Sequence, residues 1–152
     1  MKRQFYALAI LATFSLLIFT GCSKDDPAPA AKTKTELISS SPWKFQSATA
    51  NSIDVSSAPQ LACFIDNTIT FSSGSTFTIN EGTNICTPST AGSYTWSFQS
   101  GETQLQLSAP LFLGGSSTFT IVTLNSTNLV LSQNITIPPS LTPTLVVFTF
   151  KH

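Results

Sequence analysis

The feature that most limits the fold of this chain is a series of short segments in which apolar and polar residues alternate. A period of two places successive side chains on opposite faces of a β-strand, so each segment predicts a strand with one buried face. The eight segments are 43–45, 69–71, 77–79, 94–98, 105–107, 119–121, 129–131 and 146–150. Turn residues separate them, and they do not alternate with long helical patterns, which argues against a parallel sheet.

Eight short antiparallel strands in one domain can close as an up-and-down barrel or split into a sandwich. Short, hairpin-like connections favour the barrel, as does a long apolar last segment that can pair with the first. We therefore predict an all-β fold, a small eight-stranded antiparallel up-and-down barrel. The only helical signal is a capping box formed by Thr33 and Glu36, which opens a short helical turn that ends before Pro42.

The N-terminal region has the three parts of a secretion signal. Lys2 and Arg3 precede an apolar run at 5–19, and the small residue Gly21 stands directly before Cys22. A single membrane span is the alternative, but the run is shorter than the roughly 20 residues that a bilayer requires. We expect residues 1–21 to be cleaved as a lipoprotein signal peptide. Cys22 would then carry a lipid with acyl chains such as palmitate and anchor the protein in a membrane.

The residues after Cys22 carry a second address signal. Ser23, Lys24, Asp25 and Asp26 resemble the short export signal that follows the lipidated cysteine in surface lipoproteins of Bacteroidota. The resemblance implies an outer-membrane lipoprotein exposed at the cell surface, and a plain solvated tether is the alternative. Residues 22–33 are rich in Pro and Ala and are predicted to form a flexible tether, which leaves 34–152 as one domain.

Charge and composition exclude one class of partner. The net charge is zero, only 9% of the residues are charged, and the single arginine is Arg3 in the signal peptide. A nucleic-acid-binding protein needs clustered Lys and Arg. We therefore expect no nucleic-acid partner.

Cys63 and Cys86 are the cysteines that remain after lipidation of Cys22, and pairing is the expectation in an oxidising compartment. If Ser73 and Gly74 are the two turn residues of a hairpin, Cys63 faces Asn84 and lies one two-residue step from Cys86. The sequence therefore predicts a disulfide that closes the open end of this hairpin. A redox or metal role lacks a supporting histidine or third thiol.

Several of these features together resemble a known family. They are a short helix leading into Trp43-Lys44-Phe45, two cysteines on either side of an aromatic hairpin, and the strand Tyr94-Thr95-Trp96-Ser97-Phe98. Over residues 34–152 the chain is similar to the lipocalin-like lipoproteins of Bacteroidota. In lipocalins an arginine from the last strand packs over the first-strand tryptophan, and here Lys151 is the cation available to cover Trp43.

The resemblance implies non-catalytic binding of a small apolar or amphipathic ligand inside the barrel. Strands of about six residues give a barrel only about 15 Å tall, which favours a small pocket over a deep one. The candidate ligand-binding residues are Trp43, Phe71, Phe77, Trp96, Phe98 and Phe148. For any one of them, plain core packing is the favoured explanation. The alternative is a filled barrel that acts as a surface module for a protein or glycan, with loops 50–60, 82–92 and 136–144 as contact sites.

The side chains needed for catalysis are scarce. The only histidine, His152, is the last residue, where fraying argues against a positioned general base. Asp66 and Glu81 are the one carboxylate pair that merits attention. A non-catalytic role explains Asp66 better. Asp66 and Asn67 would start a strand through hydrogen bonds between their side chains and the backbone. We expect no catalysis, no cofactor and no bound metal.

Overall fold

The computed structural model describes residues 30–112, 114–137 and 141–152. The predicted signal peptide at 1–21, the lipidation site Cys22 and the export signal from Ser23 to Asp26 lie outside this part of the chain. A compact unit runs from Ala31 to His152. Its elements are α1 (Lys34–Ile38), β1 (Trp43–Ala50), β2 (Ile53–Asp54), β3 (Thr68–Phe71), β4 (Thr76–Asn80), β5 (Gly92–Gln99), β6 (Gln104–Leu107), β7 (Thr118–Leu124), β8 (Asn128–Ile135) and β9 (Thr144–Lys151).

The strands form a closed antiparallel barrel. Each strand from β3 to β8 pairs with the next one along the chain, and β1 pairs with both β3 and β9, which closes the sheet. The eight strands predicted from alternation correspond to β1 and β3–β9, so the barrel prediction is confirmed. The two-residue β2 was not predicted because it is too short to show alternation; it pairs with the end of β1 outside the barrel.

One end of the barrel, which we call the helix end, carries α1 and the turns at 72–75, 100–103 and 125–127. The predicted capping box is present: the Glu36 backbone N–H donates to Thr33 Oγ1 over 3.2 Å, and the Thr33 N–H donates to Glu36 Oε2 over 2.7 Å. Lys34 Nζ donates to the carbonyl oxygen of Glu102 in the 100–103 turn. The helix is therefore tied to the opposite wall of the barrel.

The other end, which we call the loop end, carries the longer connections, whose described parts are 55–67, 81–91, 108–112, 114–117, 136–137 and 141–143. Four apolar side chains of these connections are fully buried: Leu61, Phe64, Leu111 and Phe112. We call these four residues the cap. Completely buried loop side chains are transferred out of water into the apolar interior. The cap therefore completes the core at the end that the strands leave open.

The hairpin of β3 and β4 differs from the prediction by one residue. Phe71 pairs with Phe77, and the turn contains the three residues 73–75, with Ser75 at a positive φ of 63°. A two-residue turn would have paired Phe71 with Thr76. Directly paired residues share a face, so that register would have sent Phe77 to the outside of the barrel while Phe71 stayed inside.

The predicted disulfide between Cys63 and Cys86 is confirmed, with the two Cα atoms 5.1 Å apart. Cys63 lies in the turn-rich segment 55–67 rather than on an extension of β3. The bond therefore joins two connections of the loop end, the segment before β3 and the loop after β4.

Trp43 is covered by a different residue from the one expected. The ring of His152, and not the ammonium group of Lys151, packs on the indole, with the ring centroids 3.8 Å apart. The ring of His152 also contacts the Pro42 carbonyl and the Ser40 hydroxyl. A side chain on β9 alternates in or out with the pleat, so Lys151 points away from the buried face that Phe150 occupies.

Candidate functional site

The interior of the barrel is filled by aromatic rings that form two groups. Of the six residues predicted to bind a ligand, five divide between these groups and Trp43 belongs to neither. Phe71, Phe77, Trp96 and Phe98 contact one another, and Trp43 lies under α1 with its indole N–H donating to the Ile38 carbonyl over 2.7 Å. Phe148 belongs to the second group, nearer the loop end.

The first group packs tightly on the walls formed by β3, β4 and β5. The ring of Phe71 lies 5.5 Å from that of Phe77 and 5.6 Å from that of Trp96. The Trp96 indole N–H donates to the carbonyl oxygens of both Ser72 and Thr76, which fixes the turn between β3 and β4. Phe98 is half-buried. These side chains have the contacts of a packed core.

The second group links the strands to the cap. The ring of Phe64 lies 5.4 Å from Phe45 on β1, 6.1 Å from Phe150 on β9 and 5.9 Å from Phe112. Phe112 in turn lies 5.0 Å from Phe148. Two phenylalanines from connections thus fill the mouth of the barrel. Sequence reasoning missed both, because connections carry no periodic pattern that separates buried residues from exposed ones.

The two phenylalanines of the cap are held in different ways. Phe64 follows Cys63 of the disulfide, and its backbone N–H donates to the Leu61 carbonyl in a run of tight turns. Phe112 stands before Gly114, which has a φ of 78°, and packs its ring against Gly115, where a Cβ would lie 2.7 Å from the ring. Phe64 is therefore cross-linked to the rest of the loop end, whereas Phe112 depends on ring contacts and on a glycine.

Two inward-facing amides interrupt this apolar interior. Asn67 is 1% exposed, and neither atom of its side-chain amide has a hydrogen-bond partner. Gln133 on β8 is 7% exposed; its Oε1 accepts from the Ser116 N–H, but its Nε2 has no partner. The expectation that Asn67 starts the strand through hydrogen bonds of its side chain is therefore wrong. The alternation of Asn67 with Ile69 and Phe71 was the available signal that it faces inward.

Asp66 and Glu81 do not form a facing pair of carboxylates, because each binds its own connection. Asp66 Oδ2 accepts from the backbone N–H groups of Thr83 and Asn84. Burial raises the pKa of Asp66, but the hydrogen bonds from Thr83 and Asn84 outweigh it and leave that pKa below its usual value. Hydrogen bonds from Thr90 and then Ser89 likewise lower the pKa of Glu81. Both groups stabilise the loop end as carboxylates.

The rim of the loop end is unusually apolar. Ile53, Ile65, Ile85, Leu141 and Leu145 are all about half exposed or more, and Leu141 is 92% exposed. An open groove of about 470 Å³ runs along this rim and is lined by Ile79, Ile85 and Glu81 among others. The loops predicted as contact sites, 50–60, 82–92 and 136–144, all lie at this end, although 138–140 are outside the described residues.

Among the residues that the structure describes, no group of three or more His, Cys, Asp or Glu side chains is placed to hold a metal ion. In the same part of the chain, no helix has both the length and the apolar character needed to cross a membrane.

Comparison with protein families gives one match. The model of the lipocalin-like domain matches residues 42–131, which is more than half of the chain. The matched region begins just before β1 and ends within β8. It includes both cysteines of the disulfide, both phenylalanines of the cap and Asn67. No curated protein matches the chain.

Proposed function

Because the chain belongs to the lipocalin-like domain family, we propose that it is a non-catalytic binding protein whose barrel takes a small apolar or amphipathic ligand at the loop end. The main observation in support is that the cap residues come from connections and not from strands. Phe112 fills the mouth from a connection, so its ring can leave the interior without breaking any hydrogen bond between strands. Loops carry most binding sites for this reason.

The helix end offers no comparable entrance. There α1 is tied to the 100–103 turn by Lys34, and Trp43 is fixed by its hydrogen bond to Ile38 and by the ring of His152. A ligand that replaces the Phe112 ring would instead contact its three ring neighbours, Phe64, Phe119 and Phe148. Aromatic walls of this kind suit an apolar group.

The sequence signals add an address to this function. With Cys22 lipidated, the protein would be held in the outer membrane, and residues 23–26 would direct it to the cell surface. The domain begins with α1, so the tether would join it next to the helix end. Replacing Asp25 and Asp26 by Ala tests the surface address: in intact cells, the variant should become resistant to an added protease that digests the wild-type protein.

Native mass spectrometry of the protein isolated from its own host tests the binding function directly. A reproducible extra mass that disappears on denaturation is the expected result, and it identifies the class of ligand. A fluorescence titration with N-phenylnaphthylamine, a neutral apolar probe, tests the position of the site. The Phe112→Ala variant should bind this probe more tightly than the wild type, because the probe no longer competes with the ring.

The matched control is Phe98→Ala, which removes the same ring from a half-buried position in the other aromatic group. It should leave the affinity for the probe unchanged. Phe112→Leu serves as a milder variant if Phe112→Ala unfolds, since truncating a buried phenylalanine costs about 3–5 kcal/mol. Equal affinities in all four proteins, or no binding by any of them, would reject a site at the loop end.

A second candidate function is favoured by the apolar rim. Of the six large apolar residues that are exposed in the described part of the chain, five lie at the loop end and only Val122 lies elsewhere. Exposed apolar residues that cluster in this way are typical of protein interfaces. As a surface module, the protein would bind a protein partner, rather than a glycan, with this rim. Cross-linking in intact cells should then be lost in Ile85→Ser and kept in Val122→Ser.

A further inference from the structure

Two buried amides at the loop end have hydrogen-bonding capacity that the protein does not use. Asn67, Ser132 and Gln133 are the buried polar side chains of the described residues. Asn67 precedes Ile69 and Phe71 on the inward face, and Gln133 follows Leu129 and Leu131 on the inward face of β8. Ser132 lies between inward positions, so it faces outward.

The unused atoms are specific. In Asn67 both the oxygen and the nitrogen of the amide lack a partner, and in Gln133 the nitrogen does. The Oδ1 of the neighbouring Asp66 also lacks a partner, but this carboxylate binds the loop after β4 and is not counted as part of the site. The two inward amides therefore offer two donor nitrogens and one acceptor oxygen.

Unpaired groups of this kind are costly. Leaving a buried amide without a hydrogen bond costs about 1–3 kcal/mol, and proteins satisfy nearly all such groups with their own atoms, with water or with a ligand. The buried side chains around the cap are aromatic, namely Phe45, Phe64, Phe112, Phe148 and Phe150. Two inward amides in an aromatic interior have the arrangement of a ligand site, in which a few polar groups orient an otherwise apolar molecule.

We propose that Asn67 and Gln133 bind the head group of the ligand, and that this head is neutral and both donates and accepts hydrogen bonds. A primary carboxamide or an alcohol fits this description. The inference rests on the proposed binding function and adds the chemical class of the ligand to it. The apolar part of the molecule occupies the place of the Phe112 ring.

Charged head groups fit this site poorly. An ammonium group has no acceptor, so the free nitrogens of Asn67 and Gln133 would stay unpaired. A carboxylate has no donor, so the Asn67 oxygen would stay unpaired. Burial of an ion without a partner of opposite charge adds a further cost.

The test compares three probes with the same chain, namely octanamide, octanoate and octylamine, together with the headless probe N-phenylnaphthylamine. The full-length protein is titrated in lipid nanodiscs, and binding to empty nanodiscs is subtracted. The variants are Asn67→Leu and Gln133→Leu, which keep the approximate volume and remove the amide. The matched control is Asn134→Leu, because Asn134 is the exposed neighbour of Gln133 on β8.

We expect the wild type and Asn134→Leu to bind octanamide at least about tenfold more tightly than octanoate or octylamine, the factor that corresponds to one hydrogen bond. Asn67→Leu and Gln133→Leu should lose this preference and still bind N-phenylnaphthylamine. Without ligand, Asn67→Leu should melt at the same temperature as the wild type or higher, because leucine removes an unpaired amide.

Four results would overturn the inference. If N-phenylnaphthylamine binds but octanamide has no advantage, the head-group site is wrong and the binding function remains. The same holds if Asn67→Leu keeps the preference for octanamide. A lower melting temperature of ligand-free Asn67→Leu would show that the amide already has a partner, such as an internal water. If no probe binds the wild type, the proposed function fails as well.

Discussion

The imidazole ring of His152 lies 3.8 Å from the indole ring of Trp43, with an angle of 32° between the two planes. Nδ1 of the same imidazole lies 3.1 Å from the Pro42 carbonyl oxygen, and a carbonyl can only accept, so Nδ1 carries the proton in this contact. His152 therefore connects the end of β9 to the start of β1, where the barrel closes.

Replacing His152 by Ala should destabilise the protein by about 1 kcal/mol, the contribution typical of an aromatic pair beyond its buried area. The control is Lys151→Ala, which should change the stability by less than about 0.5 kcal/mol because Lys151 is exposed. Urea unfolding monitored by tryptophan fluorescence measures both. A larger loss in Lys151→Ala than in His152→Ala would mean that the lysine covers the indole after all.

The disulfide should be a major source of stability at the loop end. It closes a chain segment with a sequence separation of 23 residues, for which the loss of chain entropy in the unfolded state corresponds to roughly 3 kcal/mol. Cys63→Ser and Cys86→Ser should each lower the melting temperature, and a reductant should lower that of the wild type by a similar amount. The double variant should not respond to reductant. An unchanged melting temperature of the wild type under reductant would contradict this role.

Acid should destabilise the protein in part through Asp66 and Glu81, two of the four carboxyls whose pKa is lowered in the folded state. The pKa of each carboxyl is lowered in the folded state, so its contribution to stability is present above the unfolded pKa and is lost as the pH falls through the folded pKa. The free energy of unfolding should therefore decrease as the pH falls below about 4. Urea unfolding across this pH range, on the wild type and on Asp66→Asn with Glu81→Gln, measures the effect. The double variant should show a shallower acid slope, and two identical profiles would contradict the assignment.

The strands could be predicted because each has one face in the core and one in water, so the alternation of residues such as Phe77 and Ile79 is visible in the sequence. The register of the hairpin of β3 and β4 could also have been predicted. Phe71 and Phe77 must lie on the same face, and only a turn with an odd number of residues allows this. The cap could not be predicted, because Phe64 and Phe112 lie in connections. Their burial depends on the position of the open end of the folded barrel. The same applies to Asn67, whose unpaired amide becomes evident only when its neighbours are in place.

Lipidation at Cys22 stays a prediction of the sequence, and one variant tests it. Cys22→Ala removes the thiol that takes the lipid, and the lipoprotein peptidase needs that modified cysteine, so the variant should accumulate as the uncleaved precursor with residues 1–21 attached. Metabolic labelling with an acyl-chain probe should mark the wild type and leave Cys22→Ala unmarked. The control is Cys63→Ser, which loses a different thiol and should keep the label. A labelled Cys22→Ala protein would place the lipid on another residue and remove the basis for the proposed membrane anchor.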